Sequence, residues 1–431
     1  MSVVKDILRL ELPARRGYLS IATSFAEQAS LAFGLKGRDS LALPLAVEEI
    51  VAAFSDQGLP LKMEARCGLY YSEIHLTLPY TELSLEKLNL TASVGGEQDL
   101  EAVGWMLAAR VVDRLTVENQ GQRTTHFRLR KLHPYPELDG EVSMPAPGSR
   151  VADIRIAGGQ ELILFGRRVL EKRRLVGLHT LLLSPPARLA DMVESGDFEA
   201  ILAFSERGDP IAGVIIDRTT PRLARAYGPY LVEAPAEVVE QLFHAALRHL
   251  ARTPVEGVMT ESASQNIPDA EVERLGGRRL RLPDGFDLQL HAYFRNLRED
   301  HGQQSWATPW LENYLRDEYR RLHMPRDVQA WRAVPGSVPA LPSVISCDFR
   351  QVVSECVMRP VLAGQDMTEN LASHLSLLDS EGILNAFFEL DLGQPFHLAF
   401  AQSLQSNGFQ PAYLLPCAGK GDLLMLERPA S

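Results

Sequence analysis

Residues 223–261 read LARAYGPYLVEAPAEVVEQLFHAALRHLARTPVEGVMTE. An apolar run, LARAYGPYLV, leads through PAEVVEQLFHAALRHLA to a second run, VEGVMTE, which predicts strand, helix, strand. Downstream, PDAEVERLG and DLQLHAYF extend the order by another helix and another strand. Upstream, FEAILAFS and IAGVIID flank ERGDP, a turn that predicts a hairpin, and QELILFGRRVLEKRRL and PPARLADMVESG predict helices before it. Antiparallel strands running into a βαβ unit predict an α+β layer fold with one central sheet, over residues 148–295. The stretch HPYPELDGEVSMPAPGSR, with Pro134, Pro136, Pro145 and Pro147, predicts the linker before this domain.

The same order returns at the C-terminal end, residues 341–431. QVVSECVMR, MTENLASHLSLLD, ILNAFFELDL, PFHLAFAQSLQSNG, FQPAYLLP and DLLMLER repeat strand, helix, strand, helix and closing strands, which predicts a duplicated lobe. Residues 296–340 predict a helical connector, WATPWLENYLRDEYRRLHMPRDVQAW, followed by the proline-broken PGSVPALPS. Trp310, Leu311, Tyr314, Leu315 and Tyr319 recur at helical spacing, the pattern of packing residues.

Residues 1–135 form the first domain. Leu43, Val47, Ile50, Val51 and Phe54 predict a helix that Asp39 or Ser40 caps, with Pro44 near its start. LKMEARC and YSEIHLTL alternate as strands. Val103, Leu107, Val111 and Leu115 predict a second helix, and RLTVENQGQRTTHFRLRKL a closing hairpin turning near Asn119 to Gly121. Two helices on a mostly antiparallel sheet make an α/β sandwich.

The 431 residues suggest about three domains at ~150 residues each. Forty-four Lys+Arg against 55 Asp+Glu give a net charge of −11, which argues against a nucleic-acid partner. Cys67, Cys347, Cys356 and Cys417 form no Cys-x-x-Cys, the usage of reduced thiols, with Cys347 and Cys356 a loose pair. The start, MSVVKDILRLELPARRGYLS, carries charges inside its apolar stretch and no cleavage site, and no apolar run is long enough to span a membrane. A cytoplasmic protein is expected.

LELPARRGYLSIATSFAEQASLAFGL, LAVEEIVAAF and GGEQDLEAVGWMLAARVVDRLTVENQGQRTTHFRLRK resemble, in order and in the closing pattern, the histidine-kinase-type ATPase domain of anti-sigma regulatory serine kinases. The resemblance implies Glu49 as general base and Gly95, Gly96 and Gly104 as remnants of the nucleotide lid. The family's Mg²⁺-ligating Asn falls at Ala53, whose methyl group cannot ligate a hard cation. The adenine-reading Asp-x-Gly loop falls near HLTLPYTEL, which contains neither residue. In the other reading the fold is retained, its nucleotide site has decayed, and Glu48 and Glu49 are solvated helix residues.

YGPYLVEAP and TESASQ…AEVERLGGRRL resemble GNAT-type N-acyltransferases, as does FFELDLGQPFHLAFAQSLQSNGFQPAYLLP…GKGDLLML in the C-terminal lobe. That resemblance implies an acyl-CoA cleft lined by Tyr227, Tyr230, Ser264 and Gln265. In the other reading these are two sheet aromatics and a polar turn. Active members point glycine-loop amides at the CoA diphosphate. Here the loop is VEAPAEVVEQ, without glycine or arginine and with Glu233, Glu237 and Glu240. Acids there occupy the positive end of the helix that a diphosphate needs. PVLAGQD, before Met367, is equally poor in such groups, and Glu389 and Asp391 follow as strand-end acids. His244 and His249, five apart on one helix, make no metal pair, and no metal site is expected. Arg167, Arg168, Lys172, Arg173 and Arg174 read as a solvated face.

The expectation is an N-terminal ATPase-like sandwich followed by GNAT-like mixed-sheet lobes. Three functions are weighed: a regulatory or binding protein of the partner-switching type, with a protein partner and homodimerisation; an acetyl-CoA-dependent N-acetyltransferase acting on a protein or small amine; and an ATP-dependent serine kinase. The first follows from folds that are kept while their phosphate-handling groups are missing.

Overall fold

The computed structural model describes residues 6–55, 58–79, 89, 108, 110–119, 124–136, 140–172, 180–218, 220–262, 267, 271–283, 285–332, 338–350 and 353–429. The chain is mixed α/β with several sheets.

The first sheet holds β1 (Asp6–Pro13), β2 (Pro60–Cys67), β3 (Tyr71–Pro79), β4 (Arg114–Asn119) and β5 (Thr124–Leu132), in the order β1-β2-β3-β5-β4, antiparallel throughout. Alternation works as expected: Leu61, Met63, Ala65, Ile74, Leu76 and Leu78 are buried against α1 (Leu19–Ala32) and α2 (Asp39–Phe54). Two expectations are corrected. Leu115 belongs to β4, not to a helix. Ser40 does not cap α2; its hydroxyl donates to the Gly37 carbonyl at 2.8 Å, while Asp39 lies in the first turn, where its charge favours the helix dipole. Edge strand β1 has no counterpart in the sequence reading.

The central sheet has seven strands: β6 (Val151–Ile156), β7 (Phe198–Ser205), β8 (Pro210–Asp217), β9 (Leu223–Leu231), β10 (Gly257–Ser262), β11 (Glu273–Arg281) and β12 (Asp287–Asn296). Their order is β11-β12-β10-β9-β8-β7-β6. Helices α3 (Gly159–Lys172), α4 (Thr180–Leu183) and α5 (Pro186–Glu194) lie to one side, where Phe165 and Leu189 pack on Leu202 and Tyr230. Helix α6 (Val238–Leu250) covers the other face, where Leu242 and Ala246 meet Ile201 and Ala224. Glu273 to Gly276 belong to β11, so this part of the expected helix PDAEVERLG is strand.

After β13 (Gln303–Ala307), α7 (Pro309–Arg321) crosses to β14 (Arg326–Ala330), which pairs with β13 in parallel. The expected helix through DVQAW is therefore strand at its start. Leu311, Leu315 and Tyr319 are buried, as their spacing predicts.

The last sheet holds β15 (Val344–Arg350), β16 (Glu355–Leu362), β17 (Asn385–Asp391), β18 (Gln410–Leu415) and β19 (Leu423–Glu427), in the order β15-β16-β17-β19-β18. Helix α8 (Met367–Ser380) joins β16 to β17, and α9 (Ala401–Ser406) precedes β18. Strands β8-β9-β10-β12-β11 follow the same order, and in both sets only the second and third strands pair in parallel. The repeated element order is thus a repeated topology.

The two lobes share one hydrophobic cluster, with Met259, Leu290 and Phe294 from the first and Met358, Phe388 and Leu426 from the second. Strands β11 and β18 abut. At Gly276 (φ +142°) a Cβ atom would lie 2.7 Å from the Ala412 carbonyl oxygen. Asn385 closes the seam, donating to the Arg281 carbonyl at 2.8 Å and accepting from the Arg281 amide at 2.8 Å. The first domain docks through Asn89, which donates to the Ser343 carbonyl (2.7 Å) and accepts from the Ile345 amide (3.0 Å), and through the Tyr70 hydroxyl on Asp197 (2.8 Å). No helix among the described residues is long and apolar enough to cross a membrane.

Gly276→Ala combines a left-handed backbone with a backbone collision, so it is expected to cost about 1–3 kcal/mol. Urea titration followed by tryptophan fluorescence should show an earlier midpoint.

Candidate functional site

Each lobe opens where its parallel strands part. In the first, β9 and β10 pair from Leu223/Gly257 to Ala226/Thr260 and then diverge. In the second, β16 and β17 pair from Glu355/Asn385 to Met358/Phe388. The residues just past the pairing are Tyr227 and Glu261 in one lobe and Arg359 and Glu389 in the other.

At the helix that follows the first opening, two first-turn amides are already taken. Val238 N–H donates to the Pro235 carbonyl (3.2 Å) and Val239 N–H to the Ala236 carbonyl (3.1 Å). Lys172 donates to the Val232 carbonyl and pairs with Glu233 at 3.1 Å, placing a side chain across the loop. Beneath it, Val214, Ala226, Leu242, Met259 and Tyr293 close on a crevice of ≈ 40 Å³ with almost wholly apolar walls. That is room for a few water molecules at most. Before α8, Gln365 N–H donates to the Leu341 carbonyl (3.1 Å) and Asp366 accepts from the Ser343 amide (2.6 Å). A Cβ on Gly364 would collide with the Leu341 oxygen and the Ser343 amide, so this loop is seated on the segment that leads into β15.

A polar seam lies between the two sheets instead. Arg278 on β11, 4% exposed at its side chain, donates to Glu355 on β16 (2.7 Å; 0% exposed) and reaches Glu261 on β10 at 3.2 Å. Its guanidinium also stands 4.9 Å from the Phe387 ring centroid. Tyr413 on β18 donates to Glu261 at 2.5 Å; burial, then the Glu261 charge, push its hydroxyl pKa far up, so it stays a donor. On β9, Tyr227 donates to Asp217 at 2.7 Å. Across the second opening Arg359 donates to Glu389 at 2.5 Å, with Asp348 4.0 Å from its other arm. Only the Arg278 end is dry. Arg359 keeps 37% of its side chain exposed.

Behind β15 and β16 lies the loose cysteine pair. All four cysteines are free thiols. A hydrogen bond with Cys356, helped by His374, draws the Cys347 thiol down to about 6 against the effect of burial. His374 Nδ1–H donates to the Asn370 carbonyl at 2.9 Å, so Nε2 is the nitrogen turned to Cys347.

Of the residues expected at sites, Tyr227 lines the seam. Tyr230 is fully buried between the sheet and the α3 side, which corrects its placement in a cleft. Ser264, Gln265, Gly95, Gly96 and Gly104 lie outside the described residues. Glu49 is half-buried on α2, its pKa raised by burial and then by Glu48, while Ala53 belongs to the first domain's core. Asp391 is structural: it accepts from the Gly393 and Gly421 amides, each at 3.0 Å, and from the Lys420 amide at 2.8 Å. His249 pairs with Glu199. Arg168 is no solvated residue; it is buried, with Asp209 at 2.8 Å and the Ser143 carbonyl at 2.8 Å. Among the described residues no His/Cys/Asp/Glu group is arranged to hold a metal ion.

Arg225, Glu261, Arg278, Glu355 and Tyr413 were not singled out from the sequence. For Arg225, Glu261 and Glu355 a signal was present, since a charged residue within a largely apolar strand is rare unless it is paired.

No family model matches the chain, and no curated protein matches it. Solved structures similar to about a third of it are acetyltransferases. One is an N-acetyltransferase from Staphylococcus aureus Mu50 (11% identity, 34% of this chain and 97% of that one, TM-score 0.28). Another is a GNAT superfamily phosphinothricin acetyltransferase from Sinorhizobium meliloti in complex with AcCoA (16%, 34% and 89%, TM-score 0.29). A third is a GNAT-family acetyltransferase, also from S. aureus Mu50 (14%, 34% and 100%, TM-score 0.24). The ATPase resemblance of the first domain finds no support among them.

Two outcomes follow from this geometry. Arg278→Met strands Glu355 and Glu261 in a dry seam and should cost about 3–5 kcal/mol, part of it recovered in the double variant Arg278→Met/Glu355→Leu, as read from urea midpoints. Near pH 7, iodoacetamide should label Cys347 ahead of Cys67, Cys356 and Cys417, and His374→Phe should slow that labelling, as peptide mass spectrometry would show.

Proposed function

We propose that the chain is a regulatory or binding protein whose GNAT-like lobes serve as a scaffold for recognition rather than as an acyl-transfer centre. The observation that carries this reading is the first turn of α6, whose Val238 and Val239 amides are bonded within the turn, with Lys172 fastened across its loop. A diphosphate bound there would have to displace the Pro235 and Ala236 carbonyls from the Val238 and Val239 amides and then face Glu233, a like charge. The ≈ 40 Å³ crevice is also too small for the pantetheine arm of CoA. In the first domain, Ala53 packs in the core where the ATPase resemblance calls for a Mg²⁺ ligand, so phosphoryl transfer is not part of the proposal. A protein partner, partner switching and a homodimer, in the cytoplasm, belong to this proposal.

An N-acetyltransferase acting on a protein or small amine is the second reading. Glu261 favours it, as an acid just beyond the parting of β9 and β10, where a base would meet an amine entering the opening. Against it, Glu261 already serves Tyr413 and Arg278.

Calorimetric titration of the full chain with acetyl-CoA and with ATP·Mg²⁺ is the test, with a parallel assay for CoA release. The expected result is no saturable heat and no turnover with either. Tight acetyl-CoA binding with CoA release would replace this proposal by the second reading.

A further inference from the structure

Strand β1 is an outer edge of the first sheet, and no described strand pairs with its outward side. It pairs with β2 from Asp6 to Pro13 without a bulge, whereas the edge strand β6 is broken by a register shift between Val151 and Asp153. Just beyond β1, Ala14 N–H donates to the Leu59 carbonyl at 2.7 Å. Bonded positions alternate in an antiparallel ladder, so Leu8, Leu10 and Leu12 bond to β2, while Arg9 and Glu11 turn their backbone groups outward. A long, unbroken edge of this kind is a template for another strand. Apolar side chains are exposed along it as well. Ile7 and Leu8 are exposed on β1, and so is Ile21 on α1, the helix that shares a hydrophobic cluster with Leu10 and Leu12.

The charges of β1 are self-complementary. On the open face of the sheet Arg9 donates to Glu64 at 2.7 Å and Glu11 stands 3.8 Å from Lys62, yet the Arg9 and Glu11 side chains stay 72% and 65% exposed. With a second copy of β1 laid antiparallel and the twofold axis through Leu10, Arg9 falls opposite Glu11 of the second copy, and the symmetry makes this pair twice. Leu10 then meets Leu10 and Leu8 meets Leu12 on the helix-covered side, so apolar residues face apolar ones. The open face gains a row of alternating sign: Glu64, Arg9, then Glu11 and Lys62 of the second copy. Moving the axis to residue 9 or to residue 11 would set like charges directly against each other.

We propose that β1 is a self-association surface, at which two copies of this chain join edge to edge in that register and merge their five-stranded sheets into one. The occupant is a second copy because the order of charge along the strand, positive at Arg9 and negative at Glu11, is matched by its own antiparallel image. Pairing also takes up the outward backbone groups of Arg9 and Glu11 and covers Leu8. The proposal rests on the homodimer of the preceding reading and names its surface.

The test is sedimentation velocity of the full chain over a series of concentrations, with circular dichroism to confirm that each variant is folded. The parent should show a concentration-dependent dimer. Arg9→Glu sets Glu against Glu and Glu11→Arg sets Arg against Arg, so each alone should weaken the dimer by about tenfold or more. Mixed together, the two variants should form a heterodimer, because every charge then meets its opposite. Glu11→Pro removes an outward N–H and leaves the bonds to β2 in place. It should weaken the dimer as well, and it provides the reading should a charge variant fail to fold. A parent that stays monomeric at every concentration, a dimer that survives all three substitutions, or folded single variants that do not pair when mixed would overturn the proposal. Survival through all three substitutions would remove this surface and leave the homodimer standing. The acetyl-CoA and ATP·Mg²⁺ titrations judge the binding-protein reading separately.

Discussion

Arg278 holds the two lobes to one geometry. A guanidinium 4% exposed must keep its anions, because removing either partner leaves a charge in a dry seam. Glu261 comes from the central sheet and Glu355 from the last, so both sheets must keep their register for the cluster to close. A slip of one residue in β11 would turn Arg278 to the opposite face. Gly276 admits the Ala412 carbonyl and Asn385 bonds both polar groups of Arg281, so the backbone reinforces what the charges demand. Tyr227, Arg225 and Arg359 take their places from that alignment.

The two lobes share a topology and use it differently. Each has a short parallel pairing that then opens. In the first lobe the opening is filled from the α6 side by apolar side chains, and the Val238 and Val239 amides are bonded within the turn. In the second, Arg359 and Glu389 bridge the opening directly. The polar groups that remain lie between the lobes, where neither sheet alone would build a site.

Much of the fold was legible from periodicity. Leu61, Met63, Ala65, Ile74, Leu76 and Leu78 alternate because one face of their sheet is buried under helices. β6 was not legible: VADIRI lies at the sheet edge with most side chains exposed, so burial imposes no pattern on it. ERLGGRRLR carries charges on its exposed positions and a bulge between Arg274 and Gly276, which disguises a strand as the tail of a helix. At Arg168 a basic cluster suggested solvent, but tertiary packing supplied Asp209 and the Ser143 carbonyl.

Local order along the chain was enough to establish the βαβ unit, its repetition near the C-terminus, and the acid-rich loop before α6, because these depend on residue type and spacing. The seam was beyond its reach. Arg278 and Glu355 are 77 residues apart, and Glu261 and Tyr413 are 152 apart. Which buried charge meets which is settled by strand order and register, and these depend on how separate sheets pack rather than on any stretch that a reader can scan.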